Sequence, residues 1–166
     1  MEWNSMKSEL AQVVHQGFPE LHGTLVELHE IGVWGRFAFL ITSPFIPRIY
    51  ARREIMESLP DLAVRGLLAH ELVHVVQLKP LKFRQKLLLI FGYLFSSNQR
   101  AKLEKAADIG AVERGFGEAL LAAKVFGREN YPEQANYGQF YLTEAEIQAM
   151  LKNTNCGTTN PEEPSI

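Results

Sequence analysis

Cysteine is almost absent from this chain: Cys156 is the single one among 166 residues, which excludes an internal disulfide framework and suits a reducing compartment. A charge excess is missing too. Lys and Arg number 17 against 19 Asp and Glu, a net charge of -2, so the basic surplus of a polyanion-binding protein is not there and nucleic acid is not an expected partner. No apolar run approaches the ~20 residues of a membrane span. The longest, Leu87–Phe95 (LLLIFGYLF), has nine. The start, MEWNSMKSEL, has neither the basic n-region nor the apolar h-region of a secretory signal, so a cytoplasmic location is expected.

What is present suits a soluble domain with a real core: 46% apolar and 22% charged residues. Residues 1–152 read as one domain, and the polar tail 153–166 (NTNCGTTNPEEPSI) reads as a flexible or regulatory extension. Met6, Leu10, Val13 and Val14 form one stripe of a helix over 5–16, ended by Gly17 and Pro19. Thr24–Ile31 and Arg36–Thr42 have strand composition, separated by Gly32 and Gly35. A third extended stretch, Pro47–Arg53, follows Pro44 and Pro47, and such prolines predict a sheet edge. An edge at Ile46–Arg53 could take an extended peptide as an added strand.

Beyond that point the pattern is helical. Ser58, Pro60 and Asp61 read as a helix start, and Pro80 stops that helix near Lys79. A second helix fits 81–95. Lys79, Lys82, Arg84 and Lys86 precede its apolar run, so it could lie on a bilayer surface; burial in the core is the expectation for so short a run. A third helix starts at Ser97 or Asn98 and runs through Val112, with Gly115 and Gly117 bending it before Glu118–Phe126. Residues 142–152 form a last helix with Thr143 as cap and Glu146 at the reciprocal position.

The chemistry is concentrated in His70-Glu71-Leu72-Val73-His74, an HExxH sequence inside the strongest helix. Residues four apart project from one helix face, so the two imidazoles can converge on one metal ion with Glu71 beside it. Zinc with three protein ligands and an open position is the catalytic arrangement, and Glu71 is then the general base. The competing reading is a pair of hydrogen-bonded helix histidines in a polar cleft.

No histidine follows His74, and Gln77 and Pro80 stand where HExxHxxGxxH needs Gly and His. The third ligand is therefore a carboxylate, with Cys156, His15, His22 and His29 as weaker alternatives. Glu104 and Asp108 are the leading pair, four apart on the third helix, among the small residues Ala106, Ala107, Gly110 and Ala111. Glu104 is then the ligand and Asp108 the acceptor of a ligand histidine's second N–H. Alternatively the two are charges on a solvated helix face, with Glu104 paired to a lysine.

HExxH followed by ExxxD resembles the gluzincin metallopeptidases. The stretches LLAHELVHVVQ and LEKAADIGA are similar to the HtpX heat-shock and CAAX prenyl protease branch, and to the soluble minigluzincins, over residues 46–115. The resemblance implies an α+β, zincin-like domain, with a small N-terminal twisted sheet packed on a helical zinc-binding region. It implies a zinc-dependent endopeptidase acting on a peptide or protein, with His70, His74 and Glu104 as ligands, Glu71 as base and Asp108 behind them. Thermolysin-type gluzincins stabilise the oxyanion with a downstream histidine that this chain lacks, which leaves Tyr131, Tyr137 and Tyr141 as candidate donors. A Cys156 thiolate on the metal would make the enzyme latent. The alternative function is an inactive zinc module that docks on a protein or membrane surface through Arg84–Phe95.

Overall fold

The computed structural model describes residues 1–31, 40–132 and 139–156. Helix α1 (Trp3–Gly17) buries Trp3, Met6, Leu10 and Val13 and leads through a 3-10 turn (Pro19–Leu21) to strand β1 (Glu27–Glu30). Strands β2 (Leu40–Thr42) and β3 (Arg48–Ala51) follow, then a short helix α2 (Arg53–Ser58). The remaining described elements are helical: α3 (Asp61–Leu78), α4 (Phe83–Phe95), α5 (Ser97–Ala111), a π-helical turn (Val112–Phe116), α6 (Gly117–Asn130) and α7 (Glu144–Cys156). The fold is mainly helical with one small sheet, α+β in the broad sense. Among the described residues no helix is long and apolar enough to cross a membrane.

The sheet has the order β1-β3-β2, with β1 parallel and β2 antiparallel to β3. The expectation that Ile46–Arg53 forms the rim is therefore wrong: β3 is the middle strand, and β2 is the edge that packs on α3. Both prolines precede Arg48, so every residue of the strand keeps its N–H for the ladder. Arg48 and Glu27 face each other across β1 and β3 and pair at 2.7 Å. Residues 36–39 of the expected second strand lie outside the described residues.

Helix α3 is the axis of the molecule. Ten of its 18 residues are buried, which is the signature of a helix apolar on nearly all sides and enclosed by neighbours. It packs on α6, α5, α1 and β2. Its closest approach is at Gly66, where an added Cβ would stand 2.3 Å from the Ala119 carbonyl carbon of α6. Gly115, at φ 86°, turns the chain between α5 and α6 in the left-handed conformation that glycine adopts without steric cost.

Several local expectations shift. Ser58 does not cap α3; it closes α2, its hydroxyl donating to the Ile55 carbonyl at 2.7 Å, and Pro60 stands at the start of α3. Helix α5 is capped one residue early by Ser96, whose Oγ accepts from the Gln99 N–H. Thr143 and Glu146 do form the reciprocal cap of α7. That helix passes residue 152 and ends at Cys156, so four residues assigned to the tail belong to it, and 157–166 lie outside the described residues. The largest departure is α4. The expected core helix has no buried residue. It is apolar on all sides, but among the described elements α5 is the neighbour that covers most of one side.

Substitution of Gly66 by alanine tests the α3–α6 contact. Alanine gains about 1 kcal/mol in helix propensity over glycine. Overpacking against backbone costs about 1–3 kcal/mol, and here neither backbone can yield easily. G66A should therefore lower the unfolding free energy in urea by about 1–2 kcal/mol; a rise would show that this glycine does not set the helix spacing.

Candidate metal centre

Helix α3 presents His70 and His74 one turn apart, and α5 packs on α3 with Glu104 against both. Glu104 Oε2 lies 3.1 Å from His70 Nε2 and 3.4 Å from His74 Nε2. Donor atoms of the three residues all lie within 4.8 Å of one another. Tetrahedral zinc with bonds of about 2.0–2.1 Å needs ligand atoms about 3.3 Å apart. Both Nε2–Glu104 separations lie close to that value. The donor set, two imidazoles and one carboxylate, suits a divalent metal, and the three residues could hold one.

Each of these side chains is anchored from behind. His70 Nδ1 donates to Asp108 Oδ1 at 2.8 Å, which leaves Nε2 as the nitrogen facing Glu104. His74 Nδ1 meets Gln77 Oε1 at 3.2 Å, so its Nε2 faces the same point. The Tyr93 hydroxyl, from α4, donates to the second Glu104 oxygen, Oε1, at 2.5 Å. Glu71, the residue between the histidines, accepts from Thr42 Oγ1 at 2.6 Å through Oε2. Asp108 in turn takes the Leu142 N–H at 2.8 Å and Lys124 Nζ at 2.9 Å, both on Oδ2. Such partners fix the tautomer and orientation of ligating groups.

The electrostatics follow from burial. Glu104 is 4% exposed and Asp108 fully buried, and both stay ionised. For Glu104, burial opposes the charge, but hydrogen bonds from His70 and His74 outweigh it and hold the carboxyl far below its usual range. Burial opposes the Asp108 charge as well, and His70 and Lys124 overcome it, lowering the pKa. His70 feels burial in the other direction, yet Asp108 and Glu104 push its imidazole up to about 10. The cluster therefore holds positive charge between two buried carboxylates. A metal cation would meet the same attraction.

The solvated-face reading of Glu104 and Asp108 does not describe this protein: neither is exposed, and Glu104 pairs with no lysine among the described residues. Of the small residues around them, Ala107, Gly110 and Ala111 are buried, whereas Ala106 is exposed. The upstream histidines go elsewhere. His15 and His22 stack on each other at 5.7 Å, and His29 pairs with Glu27 and tilts against Tyr50. Tyr141 has its ring 5.8 Å from that of His70, and burial pushes its hydroxyl pKa up, so it stays a donor. Tyr131 packs on Phe126 at the end of α6. Tyr137 and the Cys156 side chain lie outside the described residues.

Thr42, Gln77, Tyr93 and Lys124 are the residues that sequence reasoning misses. Gln77 had a signal, because three residues from His74 is one helix turn. Tyr93 sits in an apolar run that hides its hydroxyl, and Thr42 and Lys124 reach the site through tertiary packing alone. No protein-family model, curated protein or solved structure matches the chain.

The shared role of Asp108 decides which substitutions are informative. Asp108→Asn would strip the partner from Lys124 and from protonated His70, and breaking a buried pair costs about 3 kcal/mol or more. It should lower stability in chelator as well as in metal. Gln77→Ala, at a half-buried position, should leave unfolding in chelator nearly unchanged and weaken zinc binding about tenfold in a competition titration. Equal zinc affinity in wild type and Q77A would remove Gln77 from the site.

Proposed function

We propose that this protein is a zinc-dependent metallopeptidase, with His70, His74 and Glu104 as ligands and Glu71 as the general base. The observation that carries the reading is the convergence of His70, His74 and Glu104, with a donor atom from each within 4.8 Å of the others, and with Glu71 next to His70 on the same helix and held by Thr42. A structural site would need no base there, and it would use a fourth protein ligand. The order HExxH then ExxxD, now with Asp108 bonded to His70, supports the likeness to gluzincins and to a zincin-like architecture.

Zinc in such a site lowers the pKa of water to about 7 and polarises a peptide carbonyl. The chain supplies the rest. Thr42 donates to Glu71 Oε2 and so fixes the carboxylate, whose Oε1 accepts the proton as water attacks the carbonyl carbon. The same proton goes to the leaving amine as the C–N bond breaks. Tyr141, kept protonated by burial beside His70, is better placed than Tyr131 to donate to the developing oxyanion. Thr42 ends edge strand β2, so an extended substrate pairing with that edge would be led towards Glu71. The substrate is then a peptide or an extended protein segment, and the single-cysteine composition supports a cytoplasmic setting.

Three variants separate ligand from base. Wild type should carry about one zinc per chain by elemental analysis. His70→Ala or Glu104→Ala should lose it. Glu71→Gln should keep the zinc and lose peptide hydrolysis by at least about 100-fold, because the amide cannot accept the proton. Full activity of E71Q on a casein or peptide-library substrate would overturn the mechanism, and equal zinc in H70A would overturn the site.

A further inference from the structure

Helix α4 is apolar, yet none of its residues is buried, and the surface it leaves open is large. Phe83, Leu88, Phe91, Leu94 and Phe95 are each more than half exposed, with Phe95 at 80%. Arg84, Leu88, Phe91 and Phe95 are spaced i, i+4, i+7, i+11, so they lie along one stripe of the helix. The opposite side, carrying Ile90 and Tyr93, is the half-buried one and reaches α5. The patch continues onto the β2–β3 loop, where Phe45 is exposed and its ring lies 5.6 Å from that of Phe83. Contiguous exposed apolar surface of this kind marks an interaction site rather than ordinary solvent-facing surface.

The charge pattern says what the partner carries. From Leu72 to Leu103 the chain has no Asp or Glu, against Lys79, Lys82, Arg84, Lys86, Arg100 and Lys102. This is a local feature, because the whole chain is net negative at -2. Lys79 is occupied by the Glu20 carbonyl and Thr24, and Arg100 lies over the Tyr93 ring. Lys82 and Arg84 are exposed at the N-terminal end of α4 and Lys102 is exposed on α5, while Lys86 is half-buried on the side of Ile90 and Tyr93; none of the four has an acidic partner among the described residues. A second copy meeting this face through its own α4 would bring the same cations and no anion. An anionic lipid surface supplies both what the apolar stripe and what the cations lack.

We propose that α4 and the adjoining Phe45 loop dock this protein on an anionic lipid bilayer, with the helix lying in the interface plane. A helix of 13 residues is about 20 Å long, too short for the ~30 Å hydrocarbon core, so it lies on the membrane and does not cross it. Phe91 and Phe95 enter the acyl boundary, and the exposed Lys82 and Arg84 meet the headgroups. Tyr93, on the inner side of α4, donates to Glu104, so the candidate metal centre lies one helix behind the docked face. The docking needs only the exposed face and does not depend on the metallopeptidase reading.

Vesicle flotation of the purified full chain tests this without any activity assay. Vesicles of phosphatidylcholine with about 30% phosphatidylglycerol should bind the protein at least about tenfold more tightly than phosphatidylcholine alone, and about 0.5 M salt should release most of it. Phe91→Ser with Phe95→Ser should weaken binding to the anionic vesicles at least about tenfold, and Lys82→Glu with Arg84→Glu should abolish the preference for anionic lipid. Leu25→Ser, at an exposed leucine outside the patch, should bind as wild type does. Circular dichroism identical to wild type is expected for all of these, since the changed side chains are largely exposed. The proposal is overturned if wild type ignores anionic vesicles, or if the double serine variant floats as wild type does. It is also overturned if light scattering shows a stable dimer that the serine substitutions dissociate while wild type binds no vesicle.

Discussion

A carboxylate with no exposed surface sits at the junction of four helices, and the arrangement of the molecule turns on how it is satisfied. Asp108 belongs to α5, takes the Nδ1 proton of His70 on α3, the ammonium of Lys124 on α6, and the N–H of Leu142 just before α7. A buried ion costs several kcal/mol unless its partners are in place. The helices therefore cannot shift independently, since moving any one of them strips a donor from a charge that water cannot reach. The same bond orients the His70 ring, so the constraint that assembles the helices also aims Nε2 at Glu104.

The region near this junction is polar in a particular order. His70, Glu71, Glu104 and Asp108 are the buried charged or polar side chains of the described residues, and all four belong to one cluster. Elsewhere the core is Leu, Val, Ile, Met, Phe and Ala, with Trp3 at one end of α1. Stability alone would favour replacing the cluster by apolar groups of similar size. Its concentration at one point on α3, with each group anchored from a different element, is the arrangement that a preorganised site requires.

The parts of this that could be read from sequence are those with a fixed local period. HExxH and ExxxD each place two side chains on one helix face, and that geometry holds whatever surrounds the helix. The Thr143–Glu146 cap is equally local, and the structure has it. Sheet order was not legible, because prolines at 44 and 47 restrict their own neighbours and say nothing of which strand lies between the other two. Helix α4 misled for a related reason. Its residues predict burial, and only the placement of α5 determines that a single side of it is covered. Tyr93 and Thr42 are ordinary members of an apolar run and a strand until the fold turns their hydroxyls towards Glu104 and Glu71.

Gly66 stands four residues before His70 and has the backbone of Ala119 against its Cα side. Lys124 lies five residues further along the same α6, and it reaches Asp108 because α6 comes in so close. The glycine is thus tied to the candidate metal centre through a helix that carries none of its three candidate ligands. For descent, this means the shortest heritable unit of the site is longer than the five letters of HExxH. Chains that share this way of building it are to be sought as a glycine, three free positions, HExxH, and then ExxxD followed by a distant lysine.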